Sequence, residues 1–103
     1  MIKVHVTRED NNIKKINIKG HAGYDSYGKD IVCSSVSSIT ITTVNAILMF
    51  DKNYISYNEK KDDFEIVINS NNDITNKLIQ NMINLLTELS QDYPKNIKIE
   101  EED

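Results

Sequence analysis

The segment Ile31-Val32-Cys33-Ser34-Ser35-Val36-Ser37-Ser38-Ile39-Thr40-Ile41-Thr42-Thr43-Val44-Asn45-Ala46-Ile47-Leu48-Met49-Phe50 decides the architecture. Its β-branched content favours a strand by propensity. Its length and the spacing Val32, Val36, Ile39, Thr43, Val44, Ile47 favour a helix buried on most of its surface. A strand of that length is abnormal for a domain this small, so the segment is read as a helix. Asp30 then becomes the N-cap, its carboxylate accepting from the free amides of the first turn.

Working outward, the flanks read as strands and one more helix. Ile2, Val4 and Val6 alternate with Lys3, His5 and Thr7, the period of a half-buried strand. Ile13, Ile16 and Ile18 mark a second strand after the polar turn 8–12, with a slip between Ile13 and Ile16 that fits a bulge. Tyr54 to Tyr57 and Phe64 to Ile68 form a second hairpin around the polar turn 58–63. Ile74, Leu78, Met82, Leu85, Leu86 and Leu89 make an amphipathic helix, capped by Asn72 or Asp73 and ended by Pro94. Ile97 and Ile99 give a last short strand, with Glu100 to Asp103 left as a solvated tail. The order ββαββαβ predicts an α/β (α+β) two-layer sandwich, a mixed sheet covered by two helices, in a single domain over residues 1–103.

Composition narrows the functional classes. With 103 residues, 39% hydrophobic and 27% charged, the chain can build one core without staples. One cysteine excludes an internal disulfide and points to a reducing, cytoplasmic home. One cysteine and two histidines are too few for a sulfur-rich zinc site, so no metal and no cofactor is expected. Twelve basic against sixteen acidic residues leave a charge of −4 and no basic patch for nucleic acid. The acidic balance suits a basic partner or plain solvation equally well. No secretory leader is apparent at Met1 to His5. Residues 31–50 are interrupted by Ser, Thr and Asn, so no membrane span and no membrane partner is expected.

The chemistry concentrates between the second strand and the first helix, in Gly20-His21-Ala22-Gly23-Tyr24-Asp25-Ser26-Tyr27-Gly28-Lys29-Asp30-Ile31-Val32-Cys33-Ser34-Ser35. All three glycines of the chain, Gly20, Gly23 and Gly28, lie here. A lone cysteine beside apolar residues is most often a small core residue. In the first turn behind an N-cap at Asp30, however, amides and the helix dipole favour the Cys33 thiolate. His21 can fold back from the strand end onto the helix start, and a Cys–His pair is the minimal equipment for acyl transfer. His5 sits on the polar face of the first strand and is read as structural.

The motifs Gly20-His21-Ala22-Gly23, Tyr27-Gly28-Lys29-Asp30-Ile31-Val32-Cys33 and Val36-Ser37 resemble the signature of the bacterial ribosomal-processing cysteine protease family, also called Prp. The resemblance runs over the whole chain, to the ending Tyr93-Pro94-Lys95-Asn96-Ile97-Lys98-Ile99. It departs at Ser34 and Ser35, where relatives carry alanine. The resemblance implies a homodimeric cysteine endopeptidase that trims the N-terminal extension of large-ribosomal-subunit protein twenty-seven, after a hydrophobic, phenylalanine-rich stretch. It also implies His21 as the catalytic histidine and Cys33 as the nucleophile. Backbone amides of Cys33 and Ser34 are the expected oxyanion donors. Asp30 has two roles open to it, helix cap or orienter of His21. Gly20, Ala22, Gly23, Tyr24, Tyr27 and Gly28 form the expected substrate loop, with Tyr24 and Tyr27 either lining an apolar subsite or standing exposed. The loop is expected to bury little and to order on peptide binding. The competing readings are a non-catalytic ribosome-assembly binding module of the same fold and a structural domain with a buried thiol.

Overall fold

The computed structural model describes residues 1–26 and 28–102. The chain opens with the antiparallel hairpin β1 (Ile2–Glu9) and β2 (Asn12–Lys19). Asp10 and Asn11 both hold left-handed angles, φ 53° and 67°, which is the two-residue turn whose twist matches the flanking strands. Pairing runs Thr7 to Lys15 and then Arg8 to Ile13, so Lys14 is bulged out and the slip in the isoleucine pattern is accounted for.

The deciding segment is a helix, α1 (Ile31–Phe50), with Val32, Val36, Thr40, Thr43, Val44 and Ile47 buried along one stripe. Hydroxyls able to pull the backbone toward extended structure instead bond back along the helix. Ser34 donates to the Asp30 carbonyl, Ser35 to Ile31 and Thr43 to Ile39. This arrangement corrects one expectation. Over an 18-residue window α1 has a mean hydropathy of 1.7, so it meets the length and composition of a membrane span despite its Ser and Thr. Here 33% of that window is buried, and its valine and isoleucine stripe is committed to the core.

Next come β3 (Ile55–Lys60) and β4 (Asp63–Ile68), followed by α2 (Asp73–Asp92) and β5 (Ile97–Glu102). Asn72 caps α2 by accepting from the Thr75 amide, and Tyr93 closes it ahead of Pro94. The second hairpin turn is shorter than the expected 58–63. Pairing continues to Lys60 opposite Asp63, leaving only Lys61 and Asp62 in the turn, with Asp62 left-handed at φ 60°. Glu100 to Glu102 are not a solvated tail either: they pair with His5, Val6 and Thr7 of β1. Asp103, the last residue of that expected tail, lies outside the described residues. Arg8, 3.1 Å from Glu101, offsets part of the acidic run, and His5 Nε2 lies 3.2 Å from Glu102.

The sheet order is β3-β4-β2-β1-β5, antiparallel except for β1 against β5. Ile2, Val4, Val6, Ile16, Ile18, Ile66, Ile68 and Ile97 project from its helix-covered face and are buried. Against them lie Val32, Val36, Val44 and Ile47 from α1 and Ile79, Met82, Ile83 and Leu86 from α2. Full burial of each such side chain contributes about 1.5–3 kcal/mol, which overrides the strand propensity of α1. The opposite face is polar, with Lys15 3.7 Å from Glu65 across two strands. The two-layer mixed-sheet architecture expected from ββαββαβ is therefore present.

Candidate active site

Asp30 is the organising residue of the loop-to-helix junction. Its backbone is extended (φ −82°, ψ 106°) and its side chain is buried, 5% exposed. Oδ1 accepts from the amides of Val32 and Cys33, both at 3.0 Å. Oδ2 accepts from the loop amides of Tyr24 at 2.9 Å and Asp25 at 3.2 Å. Burial pushes this carboxyl up, but the four donating amides outweigh burial and hold it below the usual carboxylate range. With both oxygens filled, Asp30 is the helix cap and a loop clamp, and the alternative of orienting His21 is not realised.

Cys33 lies in the first turn of α1 with its thiol partly exposed. The Ala22 amide donates toward Sγ at 3.4 Å. The Ala22 carbonyl in turn accepts from Asn96 Nδ2 at 3.0 Å, so the start of β5 holds the loop against the nucleophile. The amides expected to receive an oxyanion are already engaged: Cys33 N–H bonds Asp30 Oδ1, and Ser34 N–H bonds the Asp30 carbonyl at 3.1 Å. The donor standing at the sulfur is Ala22 N–H.

His21 leaves β2 just after Gly20, whose φ of 100° and 2.5 Å approach of a notional Cβ to the Met1 carbonyl oxygen exclude a side chain. His21 Nε2 lies 2.8 Å from Asp62 Oδ2, in the turn between β3 and β4. Sequence reading missed Asp62, because nothing local in a polar hairpin turn marks it as a neighbour of the Gly20 to Gly23 motif.

His21 and Cys33 open onto one groove of about 1110 Å³. Its floor includes Ile18 and Phe64 from the sheet, one wall is α1 at Cys33, Ser37 and Ile41, and the other is the 59–63 hairpin end. Gly20, Gly23 and Gly28 also line it. Ala22 and Tyr24 do not. Ala22 is buried beneath the loop, and the Tyr24 ring stands edge-on to Tyr93, centroids 5.3 Å apart at 85°. Tyr27 lies outside the described residues. The loop buries little, as expected: of its described residues between 22 and 29 only Ala22 is buried, while hydrogen bonds at Ala22, Tyr24 and Asp25 tie down its first half. Among the described residues no cluster of three His, Cys, Asp or Glu side chains is arranged to hold a metal ion.

An extended groove lined by both a thiol at a helix start and an imidazole is equipped for acyl transfer on a peptide. Comparison with known proteins agrees with that chemistry. The curated Staphylococcus aureus (strain Mu50 / ATCC 700699) ribosomal processing cysteine protease Prp is 31% identical over 103 residues, covering 96% of this chain and 97% of its own. The crystal structure of the essential S. aureus ribosomal processing protease Prp with a covalently linked product peptide superposes with a TM-score of 0.93 at 29% identity, covering 99% and 100% of the two chains. The same protease with a substrate peptide gives 0.86 at 28% identity, with the same coverage. The family model described as cysteine protease Prp matches residues 1–98, and the chain belongs to that family.

Proposed function

We propose that this protein is a cytoplasmic, homodimeric cysteine endopeptidase that removes a short N-terminal extension from large-ribosomal-subunit protein twenty-seven, cleaving after a hydrophobic, phenylalanine-rich stretch. The observation that carries the reading is the meeting of Cys33 and His21 on one peptide-sized groove, in a chain whose S. aureus relative was crystallised with a covalently linked product peptide. Cys33 is the nucleophile and His21 the proton acceptor and donor. The thiolate attacks the scissile carbonyl while the thiol proton moves to His21. The same proton then goes to the leaving amine, and water drawn on by His21 releases the acid product. Negative charge on the carbonyl oxygen falls to the backbone amides around the sulfur, those of Cys33, Ser34 and Ala22. The apolar floor at Ile18 and Phe64 suits a phenylalanine side chain.

Incubation with the ribosomal protein's precursor, followed by intact mass, tests the reading. Wild type should yield one cut after the phenylalanine-rich stretch, and Cys33→Ala none, with its melting temperature within a few degrees of wild type. Cleavage by Cys33→Ala within tenfold of wild type overturns the assignment of the nucleophile.

A further inference from the structure

The 61–62 turn is docked onto the end of β2 by three separate contacts. Gly20 N–H donates to the Asp62 carbonyl at 2.9 Å, Asn17 Nδ2 to Asp63 Oδ1 at 2.9 Å, and His21 Nε2 lies 2.8 Å from Asp62 Oδ2. The first two fix the backbone that carries Asp62. The third directs its carboxylate at one nitrogen of the imidazole. The left-handed angle of Asp62, φ 60°, belongs to the small set tolerated by Asp, Asn and Gly. Asp30, the carboxylate that caps α1 at the site, is occupied by four amides and has no oxygen to spare.

From this geometry we propose that Asp62 is the positioning residue of His21, holding the ring with Nε2–H toward the carboxylate and Nδ1 as the nitrogen that exchanges the proton with Cys33. The proposal rests on the Cys33–His21 reading above. When the thiol proton passes to Nδ1, the ring becomes an imidazolium facing Asp62, and the carboxylate offsets its charge without itself taking the proton. The histidine and aspartate side chains are 52% and 35% exposed, so water screens the pair. Its contribution is therefore on the order of tenfold in turnover, far below the roughly 10⁴-fold of a buried triad carboxylate. Asp62 acts mainly on the rate of acyl transfer and little on peptide affinity.

Asp62→Gly removes the carboxylate, keeps the left-handed turn and retains the Gly20 to residue 62 backbone bond. Asp62→Asn keeps a neutral acceptor on the same backbone. With a peptide spanning the phenylalanine-rich cleavage site as probe, Asp62→Gly should lower kcat about tenfold with KM within twofold, and Asp62→Asn should fall in between. Long-range ¹H–¹⁵N NMR of the His21 ring, in the Cys33→Ala background, should show the Nε2–H tautomer both with Asp62 in place and with the Asp62→Asn substitution. With Asp62→Gly it should show a mixture of tautomers. A kcat for Asp62→Gly within twofold of wild type overturns the proposal, and so does a ring tautomer that ignores the substitution. If Cys33→Ala or His21→Ala still cleaves, the dyad itself is wrong, and the NMR result decides the His21–Asp62 contact independently of activity.

Discussion

Replacing Asp30 by alanine separates a structural from a chemical role for the most buried charge at the site. Asp30→Ala removes the acceptor for four amides at once. Loss of an N-cap side chain costs about 1–2 kcal/mol. The Tyr24 and Asp25 amides belong to exposed residues and can rehydrate, so they add about 0.5–1 kcal/mol between them. The sum, about 1.5–3 kcal/mol, corresponds to a melting temperature lower by roughly 7–14 °C for a domain of this size. The sign with pH is fixed by the lowered carboxyl. Its stabilisation is complete above the unfolded-state pKa of about 3.9 and is lost as pH falls through the lower folded-state value. Wild type should therefore exceed Asp30→Ala by the full margin at neutral pH, and the gap should close in strong acid. Thermal melts of both proteins in a pH series, with kcat measured well below each transition, give the comparison. A melting temperature within about 3 °C of wild type, together with a hundredfold loss of kcat, would refute the cap argument and return Asp30 to the role of orienter.

Two further outcomes follow from the site. His21→Ala should lower kcat by about 10²–10⁴-fold with little change in melting temperature, and turnover equal to wild type at saturating peptide would show that another base serves. Gly20→Ala adds a Cβ 2.5 Å from the Met1 carbonyl oxygen at a φ of 100°, so it should cost about 2–4 kcal/mol; a chemical melt indistinguishable from wild type would contradict that.

The sequence was most legible where local rules and global packing agree. Asp30, Val32, Val36, Val44 and Ile47 announce a capped helix, and the cap in turn places Cys33 in its first turn. The expected burial of most of its surface is corrected, since Ile31, Ile41, Met49 and Phe50 are exposed and only one stripe is buried. The alternation in β1 and the Ile13 to Ile16 slip translate directly into pairing and a bulge. Legibility failed where a strand owes its existence to its neighbour. Asn58 to Lys60 and Glu100 to Glu102 have no apolar alternation and are extended because β4 and β1 offer a ladder. It failed again where the partner is distant in sequence: Tyr24 meets Tyr93, and His21 meets Asp62. A good N-cap uses up the amides that a helix start advertises, and only the folded chain shows which of the two claims on Cys33 N–H is met.

The bond from Asn96 to the Ala22 carbonyl ties activity to the order of synthesis. β1 is the first strand made, yet it is flanked by β2 on one side and by β5, the last strand, on the other. The Ile2 amide bonds the carbonyl of the same Asn96, so one late residue clasps both the opening strand and the loop that presents Ala22 to the sulfur. A nascent chain that has passed Cys33 but not yet reached Asn96 possesses the thiol and the imidazole without the clasp that assembles them.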